Sequence, residues 1–430
     1  MPQKRLGCWK FSKPINMALN IIWFAFFIVA FAVALFKWLI TGDVMIFKTI
    51  TEGIFKSAGD SVDLSFKLIG IMTLFLGFMN IGEKAGAIRF LSRIVGPFFS
   101  KLFPEVPDKH PAFGHMIMNF SANLLGLDNA ATPFGLKAMQ SLQELNPNKE
   151  TATNAQIMFM VLHASGLTLI PISIIAIRAS VTPAAANPTD IFLPCMIATF
   201  SATIAALLIV SFKQKINLLQ PVVLGWIIGI SVIIGLLISY IKFFLIQTEI
   251  ENFSSVLSNG LILFIFLVFL VGGMYKKVNL FESFVEGAKG GFEVAIKIIP
   301  YLVAMLVAIS VLRSSGAFEF TTTILGNLFS SLGVDTQFVQ ALPTALMKPL
   351  SGSGARAMMV DTMNTYGADS FAGRLSAIFQ GTSDTTFYVV AVYFGSIAVK
   401  NTRYAIGSML LADLVGIITS IFLAYLFFGN

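Results

Sequence analysis

Asn119, Asn123, Asp128 and Asn129 fall within fifteen residues that are otherwise apolar or small, and Lys348, Ser351, Ser353 and Arg356 fall within nine. Asn119 and Asn123 lie one helical turn apart, so their amides offer donors and acceptors to one spot. Gly126 then interrupts the helix, Asp128 can cap a helix that restarts near Ala130, and Pro133 fits the first turn of that helix. Such a restart would turn free N–H groups toward an anion or a polar head. The same residues also suit a plain cap with asparagines bonding helices together. In the second cluster, Gly352 and Gly354 alternate with Ser351 and Ser353, which lets backbone approach a ligand and leaves hydroxyls available. The Arg356 fork matches a carboxylate or phosphate. It equally suits an internal ion pair with Asp384, Asp361 or Asp128, and the two roles are compatible.

About 30 residues after each cluster a second polar break interrupts an apolar helix. His163, Ser165, Gly166 and Thr168 form the first; Gln380, Thr382, Ser383, Asp384 and Thr385 form the second. Unwinding at Asp384 would expose carbonyls able to hold Na⁺, or leave the carboxylate to carry a proton. His163 is also readable as a packing residue. Asp413, alone in the last apolar stretch, reads as structural or as a supporting partner.

These breaks are informative because of what surrounds them. The chain is 56% hydrophobic and 12% charged, with a mean hydropathy of +0.82, which is the composition of a polytopic all-α membrane protein. Its net charge of +7 comes from Lys and Arg gathered in particular loops, so topology explains it and nucleic acid is not expected as a partner. Cys8 and Cys195 are too few and too far apart for a zinc site or a disulfide framework. No nucleotide-hydrolysis loop, metalloprotease motif or serine-nucleophile motif is present, so neither an enzyme nor a cofactor or metal is expected. The basic start before residue 15 resembles a signal peptide, but the apolar run extends to residue 40 and reads as a retained first helix.

Nine stretches are long enough to cross a bilayer: 16–41, 61–81, 153–178, 190–212, 220–245, 253–275, 292–312, 371–399 and 403–428. Two more, 112–144 and 336–366, are split in the middle and read as re-entrant hairpins. With the basic N-terminus inside, hairpins put the loop 82–110, Lys213/Lys215, Lys276/Lys277 and Lys400/Arg403 inside. The loops 179–189 and 247–252, without Lys or Arg, fall outside, as do 314–335 and the C-terminus. Each half then has four crossings and a hairpin, in opposite orientation: 1–215 and 251–430, joined by a linking helix within 216–250. The stretches 43–60, 88–103, 278–291 and 318–332 read as amphipathic helices on the membrane surface.

The segments 119–140 and 163–171 resemble spore maturation protein A, and 348–363 with 371–400 resemble spore maturation protein B. The chain looks like a fusion of the two, similar to the nucleoside-recognition or gate domains and distantly to concentrative nucleoside transporters. Asn123, Asp128, Asn129, Ser351, Ser353, Arg356, Thr382, Ser383 and Asp384 match the family motifs. The resemblance implies a multi-pass protein of the bacterial cytoplasmic membrane with paired gate domains and a part in envelope or spore physiology. The expected function is secondary transport of a small polar or anionic solute, nucleoside-like or otherwise, coupled to Na⁺ or H⁺ through the breaks and leaving room for a homo-oligomer. The alternatives are a non-transporting assembly protein whose polar cluster is structural, and an intramembrane enzyme acting on a lipid-linked substrate.

Overall fold

The computed structural model describes residues 14–107, 109–126, 128–245 and 247–429 and, within them, all side chains except those of 14–19, 128–130, 242, 247, 248, 250, 251 and 254. Its elements are helices, apart from one isolated β-bridge between Thr151 and Asn401. The first half runs α1 (Pro14–Thr41), α2 (Ile46–Ala85), α3 (Ala87–Leu102), α4 (Pro111–Leu124), α5 (Asp128–Glu144), α6 (Asn154–Ala164), α7 (Ile172–Ser180) and α8 (Phe192–Gln214). After α9 (Pro221–Phe244) come α10 (Gln247–Tyr275), α11 (Leu280–Ser314) and α12 (Ala317–Ser331). A 3-10 turn at Gln337–Ala341 leads into α13 (Leu342–Met347), α14 (Gly352–Tyr366), α15 (Phe371–Gly381), α16 (Thr386–Val389) and α17 (Ala405–Phe428).

Seven of these, α1, α2, α8, α9, α10, α11 and α17, are long and apolar enough to cross a membrane among the described residues. The other two expected crossings, 153–178 and 371–399, are each interrupted: α6 and α7 flank one unwound segment, α15 and α16 the other. Two expectations are corrected. The stretches 43–60 and 278–291 are not separate surface helices but the first turns of α2 and α11, which run unbroken for 40 and 35 residues. Residues 247–252 are not a loop but the start of α10.

The long helices persist because they cover one another. α2 packs antiparallel on α11, and near the C-terminal end of α2 Asn80 Nδ2 donates to the Ser283 carbonyl at 2.6 Å and Lys84 pairs with Glu286. Gly287 and Gly291, one turn apart, press against the α2 backbone at Leu76 and Met72, where any side chain would intrude. This is the small-residue spacing by which membrane helices approach closely enough for dispersion to hold them.

Matching elements of the two halves have matching local chemistry. Gly86, between α2 and α3, and Gly316, between α11 and α12, both take left-handed backbone at φ 93° and 85°. Thr153 caps α6 through the Gln156 N–H, and Ser370 caps α15 through the Gly373 N–H. Ser165 bonds Thr203 at 3.0 Å and Thr382 bonds Ser420 at 2.8 Å, 38 residues apart in both cases. Packing is reciprocal too: α1 lies on α11 while α10 lies on α2, and α8 lies on α17.

Candidate functional site

The first unwound segment follows from residues that cannot continue a helix. Gly166 (φ 63°) ends α6, and Pro171 has no N–H to give. Hydroxyls satisfy carbonyls at both breaks: Thr168 Oγ1 donates to Gly166 O at 2.8 Å and Thr382 Oγ1 to Ile378 O at 2.7 Å. Three further backbone groups bond across the fold. Leu169 N–H donates to Leu124 O at the first hairpin tip at 2.8 Å, and Phe387 N–H donates to Pro349 O at the second tip at 3.1 Å. Asp384 N–H donates to Ala164 O at 2.8 Å, tying one break to the other. These bonds satisfy part of the unwound backbone inside the protein, as apolar surroundings require.

Between these four segments lies a cavity of about 220 Å³. Asn123, Gly126, Gly166 and Thr168 line it from the first half; Lys348, Gly352, Arg356, Gln380, Ser383, Asp384 and Thr385 line it from the second. Met72 and Leu76 of α2 and Val294 of α11 close an apolar side. Ser351 caps α14, its Oγ accepting from the Gly354 N–H at 3.0 Å, so that helix presents its N-terminus at Gly352 beside Lys348 and Arg356. Gln380 Oε1 is buried without a hydrogen-bond partner among the described residues. The cavity can therefore hold a polar group with cations and a helix N-terminus on one part of its wall and a carboxylate on another.

Of the residues singled out in the sequence, Asn123, Thr168, Lys348, Arg356, Gln380, Ser383, Asp384 and Thr385 are brought together at the cavity. His163 stands directly behind it. Its Nδ1 lies 2.8 Å from Asn123 Nδ2 and 3.0 Å from Asn119 Oδ1, its Nε2 lies 3.8 Å from Asp384 Oδ2, and its ring meets Tyr393 edge-on at 4.7 Å. Asn119 is buried and also donates to Ala131 O at 2.7 Å, so it braces the hairpin and the histidine. Ser165 and Thr382 turn away from the cavity, each bonding a helix behind its break. Ser353 lies 3.3 Å from Ser351 at the cap. The side chains of Asp128 and Asn129 lie outside the described residues; α5 does restart at Asp128, which leaves Pro133 in its second turn rather than its first.

Asp361 is not the partner of Arg356 that the sequence allowed. It accepts from Arg313 Nη2 at 2.5 Å and Nε at 3.2 Å, far along α14 from the tip. Sequence reasoning also missed a buried ion network at one end of the core. Arg178, fully buried, donates to Asp190 at 2.8 Å, Asp369 at 3.2 Å and Ala368 O at 2.7 Å, and Asp190 accepts from Arg374 at 2.8 Å. Arg178 closes an apolar run, so it passes in sequence for a membrane boundary. At the other end Glu150 pairs with Lys400 at 2.6 Å, both exposed. Tyr393 carries no sequence signal, since it meets His163 only through the π-helical turn Val390–Phe394.

Helices of membrane length around an interlocked polar interior define a polytopic α-helical membrane protein with an internal site. The chain belongs to the Gate family, described as nucleoside recognition, which matches residues 65–181 and 295–400. It is 48% identical over 174 residues to spore maturation protein B of Bacillus subtilis (strain 168), spanning 40% of this chain and 96% of that protein. It is 37% identical over 190 residues to spore maturation protein A of the same organism, spanning 44% of this chain and 92% of that protein. No solved structure matches the chain.

Proposed function

We propose that this chain is a secondary transporter carrying a small polar or anionic solute by alternating access, through a site between its two hairpins. One observation carries the reading: hairpin tips and unwound segments from both halves converge on a single polar cavity, cross-bonded at Asp384–Ala164, Leu169–Leu124 and Phe387–Pro349. Broken helices facing each other across a midplane cavity are how membrane transporters expose backbone dipoles to a substrate.

Residues 1–215 and 251–430 are read as gate repeats of opposite orientation, similar to spore maturation proteins A and B, with α9 as the linking crossing. Two relatives, each nearly fully spanned by under half of this chain, support a fused pair. Polar contacts between and within the halves support the topology. Glu150–Lys400, Lys84–Glu286 and Gln214–Asn154 join segments that the positive-inside rule assigns to the inside, while Arg178–Asp369 and Tyr425–Asp335 join segments it assigns to the outside. The setting would be a bacterial cytoplasmic membrane.

Lys348, Arg356 and the α14 N-terminus would hold the anionic or polar group, with Asn123 and Gln380 completing the shell. Na⁺ or H⁺ coupling would run through Asp384, His163 and the breaks. A cavity of about 220 Å³ with no aromatic among the described residues that line it favours a solute smaller than a base-stacked nucleoside. A second reading, an assembly protein of the spore envelope, is favoured by the Asp384–Ala164 bond and the Arg178–Asp369 and Lys84–Glu286 pairs, which would hold the halves rigidly together.

Thermal unfolding in detergent against small carboxylates, phosphates, nucleosides and Na⁺ separates the two. A ligand at ~100 times its dissociation constant stabilises by about 2.7 kcal/mol, and transport predicts a hit that Arg356→Ala abolishes in a folded protein. A flat panel, with Arg356→Ala unfolding early, supports the assembly reading.

A further inference from the structure

We propose that Asp413 is a proton-binding carboxylate whose protonation loosens the second unwound segment and so reshapes the cavity. Asp413 sits in α17, 4% exposed, with Oδ2 accepting from the Thr386 hydroxyl at 2.7 Å. Thr386 is the residue at which the helix resumes. On the other flank of the break, Thr382 bonds Ser420 of the same helix at 2.8 Å. One helix thus pins both ends of the segment whose middle, Ser383 to Thr385, lines the cavity.

Comparison of the halves isolates what is special here. The Thr382–Ser420 bond has its counterpart in Ser165–Thr203, with the same 38-residue separation. Carried along that register, Asp413 corresponds to Met196 and Thr386 to Leu169, so the first half has an apolar pair where the second has a carboxylate and a hydroxyl. The common fold of the break therefore does not need the carboxylate. A membrane-buried carboxylate is costly to keep without a role, and the segment this one anchors lines the cavity.

A hydroxyl donating to an ionised carboxylate makes a bond roughly twice as strong as one to a neutral acid. Protonation at Asp413 weakens the Thr386 anchor, and residues 383–385 gain freedom together with Asp384, which faces His163 at 3.8 Å. The charged groups acting on Asp413 among the described residues are Lys348 of the second tip and Asp384 of the break. Use of this proton for coupling rests on the transport reading; its binding does not.

The test uses the full-length protein without solute. Backbone hydrogen exchange over residues 382–390, corrected for intrinsic rates, is followed from about pH 4 to about pH 9, a span covering ordinary and buried carboxylates. Infrared difference spectra report the protonated carboxyl in parallel. Wild type should show one step of about fivefold faster exchange toward acid. Asp413→Asn should exchange at the acid-end rate throughout and lose one carboxyl band. Thr386→Val should keep the band while its exchange stops following pH, and it serves if Asp413→Asn does not fold. Exchange without a step in wild type, a step that survives Asp413→Asn, or a step abolished by Asp384→Asn instead would overturn the proposal. A flat solute panel would leave these results untouched, so failure of the transport reading and of this one are told apart.

Discussion

The backbone N–H of Asp384 donates to the carbonyl of Ala164 at 2.8 Å, joining two unwound segments that lie 220 residues apart in the chain (384 − 164). The carbonyl is one that the end of α6 leaves without a helical partner, and the N–H is one that the interruption after α15 sets free. Each break thus supplies what the other lacks. Neither half could hold its unwound segment at membrane depth without the other, which makes the cavity a property of the pair.

Gly166 is what allows that approach. It has φ 63°, and a Cβ there would lie 3.0 Å from Asp384 N and 3.2 Å from Ser383 C, both backbone atoms. Gly166→Ala should lower stability by about 2–4 kcal/mol, combining left-handed strain with displacement of the crossing. Gly333, with φ 73° and nothing within 4 Å, isolates the strain, so Gly333→Ala should cost only about 1–2 kcal/mol. Denaturation of the two variants side by side checks the difference; equal losses would mean the crossing is not tight.

The two ends of the core should respond very differently to loss of a cation. Arg178 is fully buried and bonds Asp190, Asp369 and the Ala368 carbonyl, so Arg178→Ala leaves buried acceptors unmatched. The expected loss is about 3–5 kcal/mol. The Lys400–Glu150 pair is exposed, at 73% and 66% of the side chains, and Lys400→Ala should change stability by no more than about 1 kcal/mol. Urea or thermal unfolding of the single variants measures both.

How much of this was legible in the sequence depends on whether a residue is out of place locally. Asn123, Lys348, Arg356, Gln380 and Asp384 stand out because polar groups in apolar surroundings need a partner or a cavity, and all five meet at one. The extents of α2 and α11 were not legible, because Gly59-Asp60 and Gly290-Gly291 look like helix ends. Gly291 is instead a contact, and α2 runs straight through residues 59 and 60. Thr386 on Asp413 and Arg178 on Asp369 join residues 27 and 191 apart with no periodicity to announce them. Tertiary packing makes those pairs: α16 against α17 within the second half for the first, and one half on the other for the second.

At the rim, Tyr425 donates to Asp335 at 2.5 Å and holds the Asp335 carboxyl below its usual range, helped by the Gln337 N–H. A depressed folded value stabilises the fold above the unfolded pKa near ~3.9, and that contribution fades as pH falls through the folded value. Tyr425→Phe should therefore cost less than about 1 kcal/mol at neutral pH, as for an exposed interaction. The variant and wild type should converge as pH falls through the depressed folded value. Melting temperatures of the two proteins between neutral and acid pH check the sign; a gap that widens toward acid would contradict it.

The contact between α2 and α11 makes a prediction in which two adjacent glycines respond with opposite signs. An alanine is ordinarily better than glycine in a helix interior by about 1 kcal/mol. Gly290 has nothing within 4 Å of where its Cβ would stand, so Gly290→Ala should stabilise by up to about 1 kcal/mol. A Cβ on Gly291 would lie 2.6 Å from the Met72 carbonyl oxygen and 2.7 Å from Thr73 Cα, atoms of a rigid helix that cannot step aside. The helices must separate, and dispersion is lost along the contact, so Gly291→Ala should cost about 1–3 kcal/mol despite its better propensity. Because α2 and α11 supply Met72, Leu76 and Val294 to the cavity, that separation also opens its apolar side. A cysteine-reactive probe at Met72→Cys should then label faster in the Gly291→Ala background than in the Gly290→Ala background. Equal labelling, or two variants of equal stability, would show that the helices are not in backbone contact.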